Sequence, residues 1–259
     1  MKFVLLITIF LLCIMNSYAK IHTELIDYKD GDVQLQGYLA YDDSNQDKRP
    51  GIIVVHEWWG LNDYAKNRAE ELASLGYVAF AADMYGKGVL AKTPDEAGKL
   101  AGGIRGNPGL MRRRANASLD ILKKNKFVNA DNIAAIGYCF GGSVVLELAK
   151  SGADIDGVVS FHGGFSPQTN SEELKDIKSN VLILHGAQDR IDNVLSFTKA
   201  LENANKDWQL VVYSGAVHTF TNPAAGNDPS KGSAYNETAA KRSWEEMQIF
   251  FNDIFSKGK

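Results

Sequence analysis

A thiol placed to act as a nucleophile is the first chemical feature of the chain. Cys139 lies in Gly137-Tyr138-Cys139-Phe140-Gly141-Gly142, between an apolar run at 133–136 and a helical stretch at 142–150. This is the strand–turn–helix setting of a nucleophile elbow, G-x-S-x-G, with cysteine in the serine position. The glycines let the backbone turn sharply and pass close to its neighbours. A thiol at the start of a helix meets its positive end, which favours the thiolate and offers free N–H groups to an oxyanion. The N–H of Phe140 is one such donor. The plainer reading is a buried, inert cysteine.

A thiol that attacks a carbonyl needs a base and a group to orient that base. Asp189 lies just past an apolar run at 181–184, and His218 just past another at 209–213. The order Cys139, Asp189, His218 is nucleophile, acid, base. Asp192 is a rival acid, and Asp189 has the alternative role of a helix cap. Among the other histidines, His56 and His185 end apolar strands and fit hydrogen-bonded structural groups. His162 follows a strand and is placed to line a cleft, whereas His22 carries no signal. These histidines show no metal-ligand spacing, so no zinc site and no cofactor are expected.

Alternating strands and helices must bring these residues together. Strands are predicted at 23–28 and 33–41, joined by a turn at 29–32, then at 51–56, 77–82, 133–136, 157–161, 181–184 and 209–213. Helices are predicted at 63–75, 109–125, 142–150, 193–205 and 234–255, and residues 86–109 as irregular structure with room for one short helix. Arg112, Arg113 and Arg114 fit a solvated helix face. The alternation implies an α/β chain with a mainly parallel sheet of about eight strands and helices on both faces. Reactive groups in such sheets gather beyond the carboxyl ends of the strands.

The 259 residues, 45% of them hydrophobic, are enough for a core without metal or disulfide staples. A net charge of −3 argues against nucleic acid as a partner. Lys2, the apolar run at 3–14 and Ser17-Tyr18-Ala19 have the layout of a secretory signal. The expectation is a signal peptide at 1–19, cleaved after Ala19, and one domain at 20–259. The mature protein would be secreted or periplasmic, without stable membrane association, and Cys139 its sole cysteine.

His56-Glu57-Trp58-Trp59-Gly60, Asp83-Met84-Tyr85-Gly86, the Cys139 elbow, His185-Gly186-Ala187-Gln188-Asp189 and His218-Thr219-Phe220 run in order over most of the chain. In these motifs the sequence resembles the dienelactone hydrolase family of α/β-hydrolases. The resemblance implies an α/β-hydrolase fold, a Cys139–His218–Asp189 triad, and Glu57 beside the thiol, where it helps form the thiolate. It makes the N–H of Trp58 the second oxyanion donor and gathers Trp59, Tyr85, Lys87, His162, Phe220 and Asn222 around the substrate. Lys87 and Asn222 occupy the places of two arginines that bind a substrate carboxylate in well-known members, so the namesake activity does not follow. Arg105 or one of Arg112–Arg114 could supply that charge. The implied reaction is hydrolysis of a small ester, lactone or thioester through an acyl-thioenzyme. The rivals are an acyltransferase and a non-catalytic exported protein that binds a small molecule.

Overall fold

The computed structural model describes residues 20–256, so the expected signal at 1–19 lies outside the described residues. A two-residue turn at Gly31-Asp32 joins β1 (Ile21–Asp30) to β2 (Val33–Asp42); Gly31 takes the positive φ of 59° that closes it. Then follow β3 (Arg49–Val55), α1 (Asp63–Ser74), β4 (Val78–Ala82), α2 (Pro94–Arg105), α3 (Pro108–Lys123), β5 (Val128–Tyr138) and α4 (Phe140–Lys150). The chain continues through β6 (Gly157–Phe161), β7 (Asn180–Gly186), α5 (Ile191–Asn203), β8 (Trp208–Tyr213) and α6 (Glu237–Ser256).

The segment 86–109 departs from expectation, because it holds all of α2 and the start of α3. Thr93 accepts the Glu96 N–H at 3.2 Å and Asn107 accepts the Leu110 N–H at 3.0 Å, each followed by proline at the first helical position. Two cap–proline pairs outweigh Gly98, Gly102 and Gly103, whose cost is of helix propensity only. The arginine run is also no simple solvated face. Arg114 is buried and donates to the carbonyls of Met84 and Tyr85, Arg113 pairs with Asp30, and Arg112 with Glu147 at 2.9 Å.

The sheet order is β1-β2-β4-β3-β5-β6-β7-β8, and among the described residues β2 alone runs against the others. The central strands are apolar apart from Arg49 at the start of β3 and Ser160 in β6, as burial on both faces requires. Ala69, Leu72, Met247 and Phe251 of α1 and α6 cover one face. Leu119, Val144, Leu148 and Phe197 of α3, α4 and α5 cover the other. From β3 the chain moves outward one way to β4, yet β5 lies on its other side. The loops after β3 and β5 therefore part to opposite faces, leaving a crevice at their carboxyl ends.

Candidate active site

Cys139 occupies that crevice as the turn between β5 and α4. Its φ of 53° and ψ of −110° lie outside the regions favoured by side-chain-bearing residues, a strain of about 1–3 kcal/mol. The neighbouring glycines make the turn possible. A Cβ on Gly137 would stand 2.0 Å from the carbonyl oxygen of Gly141, and one on Gly141 would stand 2.3 Å from that of Val55. The Cys139 N–H donates to the Phe161 carbonyl at 3.0 Å and to His162 Nδ1 at 3.2 Å. Because that backbone group can only donate, His162 carries its proton on Nε2 and gives it to Thr221 Oγ1 at 2.7 Å. Burial holds the His162 pKa well below the ordinary imidazole range, so the ring is a neutral strut.

Cys139 is 8% exposed, enough for its sulfur to meet the cleft. His218 Nε2 stands 3.1 Å from Cys139 Sγ, and His218 Nδ1 stands 2.7 Å from Asp189 Oδ2. Burial works against the charged ring, but hydrogen bonds to Asp189 and Cys139 outweigh it and raise the His218 pKa to about 10. The Asp189 loop is held by His185, whose Nε2 bonds the Asp189 carbonyl. Asp192 does not line the cleft and falls in the first turn of α5.

Two peptide planes complete the arrangement. His56 Nδ1 bonds the Glu57 carbonyl, and its Nε2 accepts the Met84 N–H at 3.3 Å. A trans peptide is rigid, so fixing the Glu57 carbonyl turns the Trp58 N–H to the opposite side. In the same way, the Gly142 N–H bonds the Cys139 carbonyl at 3.1 Å and fixes the Phe140 N–H, the first of α4. Tyr85 donates to the Trp58 carbonyl at 3.0 Å.

Glu57 is 2% exposed and accepts from Asn222 Nδ2 at 2.7 Å through Oε2, while Oε1 is buried without a partner among the described residues. Burial pushes its pKa up to about 7, against the pull of Asn222, His218 and Arg68. The thiol's hydrogen bond goes to His218, so Glu57 is engaged by Asn222 instead of the sulfur.

The cleft has a volume of about 1480 Å³, and Trp58, Trp59, Cys139, Asp189, His218 and Asn222 all line it. The other expected pocket residues stand elsewhere. Lys87 is on the outer surface, 2.6 Å from Asp27, because the turn at Asp83–Gly86 carries it past the rim. Phe220 is fully buried in the core, packed on His162 and Tyr213. His162 and Tyr85 lie behind the wall as hydrogen-bonding supports. Of the arginines weighed for a substrate charge, Arg105 lines the cleft, 5.6 Å above the Phe140 ring. Ser143, Phe165, Phe197 and Arg190 line it without a sequence signal, since each depends on how distant helices meet. Among the described residues no cluster of His, Cys, Asp or Glu could hold a metal ion.

The dienelactone hydrolase family model matches residues 35–255. Protein usf of Aquifex pyrophilus is 29% identical, over 90% of this chain and 99% of that protein. A protein of Aquifex aeolicus provisionally named a carboxymethylenebutenolidase is 28% identical, over 88% and 97%. Among solved structures, a dienelactone hydrolase-like promiscuous phosphotriesterase from metagenomic libraries is 38% identical with a TM-score of 0.85, over 92% of this chain and 99% of that one. The dienelactone hydrolase of Anabaena variabilis shares the fold at a TM-score of 0.61 and 22% identity, over 79% and 91%. The chain belongs to the dienelactone hydrolase family and is a carboxylic ester hydrolase.

Proposed function

We propose that the chain hydrolyses esters, lactones or thioesters through a covalent acyl group on Cys139, with His218 and Asp189 as its proton-handling partners. The observation that carries this reading is the position of His218, within hydrogen-bond reach of both the thiol and a carboxylate. The raised His218 pKa makes the ring a ready acceptor of the thiol proton during attack, with Asp189 stabilising the imidazolium from the far side of the ring. The thiolate attacks the carbonyl carbon, and the developing oxyanion is met by the N–H groups of Phe140 and Trp58. His218 then gives its Nε2 proton to the leaving alkoxide or thiolate. Water attacks the resulting thioester with His218 as general base, which returns the free thiol. Lys87 and Asn222 are committed to Asp27 and Glu57, so no paired clamp for a substrate carboxylate supports the namesake lactone.

The test compares the wild type with Cys139→Ala on short aryl esters, lactones, thioesters and, in view of the phosphotriesterase neighbour, an aryl phosphotriester. Wild-type turnover should fall by about 10⁴-fold or more in the variant. Equal turnover by both proteins would refute Cys139 as nucleophile. Binding without turnover by either would favour a non-catalytic role.

A further inference from the structure

The backbone that carries His218 is held against its own preference. Thr219, the next residue, has a φ of 60°, a conformation that a β-branched side chain rarely adopts. Cys139 itself at 53°, His162 at 39° and Arg190 beside Asp189 at 43° share the positive φ. Such conformations persist only where the surrounding contacts over-determine them. For the His218 loop, several of those contacts come from α1.

Tyr64 and Arg68 of α1 lie four residues apart and so share one face of the helix. The Arg68 guanidinium lies 5.1 Å from the ring centre of Tyr64, 5.8 Å from that of Tyr138 and 5.2 Å from that of Trp244. Held there, it donates from Nη2 to the Thr221 carbonyl at 3.1 Å. The buried Thr221 side chain is bonded twice, to the Tyr64 hydroxyl at 2.7 Å and to His162 Nε2 at 2.7 Å. His162 in turn accepts the Cys139 N–H through Nδ1. Thr221 is therefore the point where α1, the nucleophile elbow and the His218 loop meet.

The same hydroxyl decides which nitrogen of His162 carries the proton. Nδ1 must stay bare to accept from Cys139, so the proton sits on Nε2 and needs a buried acceptor. Thr221 Oγ1 is that acceptor. Without it the buried Nε2–H is left unpaired, a costly state that is relieved by moving the proton to Nδ1. There it would oppose the Cys139 N–H and push the elbow away from the ring.

We propose that Thr221 is a positioning residue for the hydrolysis, keeping His218 Nε2 at 3.1 Å from Cys139 Sγ by tying the His218 loop to the elbow and to α1. The inference rests on the Cys139–His218 reading above. Neither Thr221 nor Arg68 lines the cleft, so both act on the reaction through His162 and the loop.

The experiment measures kcat and KM for p-nitrophenyl acetate with the wild type, Cys139→Ala, Thr221→Val, Thr221→Ser and Arg68→Met. Circular dichroism and thermal melts establish the folded fraction of each. Thr221→Val keeps the shape and removes the hydroxyl; a shift of about 1 Å in a reacting group lowers kcat about 10- to 100-fold. Acylation and deacylation both use His218, so KM should stay within about threefold. Thr221→Ser restores the hydroxyl and should keep kcat within about threefold of the wild type. Arg68→Met cuts only the carbonyl bond and should fall between the two.

A melting temperature lowered in Thr221→Val with kcat per folded molecule unchanged would overturn the proposal. So would a loss in Thr221→Ser as large as in Thr221→Val. If Thr221→Val fails to fold, Arg68→Met decides, and wild-type kcat there would overturn the proposal. Turnover abolished in Cys139→Ala but undiminished in Thr221→Val would remove the positioning role alone. Turnover that survives in Cys139→Ala, or none by the wild type, would remove both readings.

Discussion

Single residues here are tuned by what surrounds them more than by their own chemistry. Glu57 and His218 are both held above their ordinary pKa values, Glu57 by burial and His218 by its hydrogen-bonded partners against burial. A raised folded pKa means that the native state holds its proton more tightly than the unfolded chain. For Glu57 the associated stability is complete below about pH 4.5 and is lost as the pH rises through about 7. For His218 it is complete below 6.5 and lost as the pH rises through about 10, so it cancels between proteins that share the residue. Glu57→Gln keeps an acceptor for Asn222 and removes the carboxyl. Relative to that variant, the wild type should lose about 3 kcal/mol of unfolding free energy between pH 4.5 and pH 8. Urea titrations at the two pH values check this, and an unchanged difference would show that Glu57 ionises as freely in the fold as outside it. The sequence made Cys139, Asp189 and His218 legible because each closes a strand in a fixed order. It did not reveal the Glu57–Asn222 bond, which joins residues far apart in the chain.

At the scale of elements, two glycine environments give opposite expectations. A Cβ on Gly137 meets the backbone of Gly141 and Gly142, which cannot yield without opening the elbow. Gly137→Ala should lower stability by about 1–3 kcal/mol. Gly98 lies within α2 with nothing near the site of a Cβ. Gly98→Ala should raise stability by about 0.5–1 kcal/mol. Thermal melts of the two variants beside the wild type decide both; an equal response would mean that the elbow is not as tightly packed as its contacts imply. Strands were the most legible elements, because the runs at 52–55 and 78–82 are apolar at every position and 157–161 at all but the buried Ser160. The region before α3 was the least legible. Its glycines pointed to loop, while the caps Thr93 and Asn107, each before a proline, were the signal that prevailed.

Across the whole molecule, the site follows from topology. The sheet order places the ends of β3 and β5 side by side, so Trp58 and Cys139 face one crevice, and β7 and β8 bring Asp189 and His218 to the same rim. Alternating strands and helices made that architecture legible. The path of the cleft between α4 and α5 was not, because helix packing leaves no mark in local pattern. Lys87 shows the same limit, since its place in a motif put it at the substrate and the turn after β4 puts it outside. The central claim is that Cys139 carries the acyl group, and the most direct test is to trap it. Protein mixed with p-nitrophenyl acetate, quenched in acid and weighed intact, should gain one acetyl group, mapped by digestion to the peptide containing Cys139 and absent from Cys139→Ala. Turnover without any adduct on Cys139, or an adduct on another residue that persists in Cys139→Ala, would contradict the account.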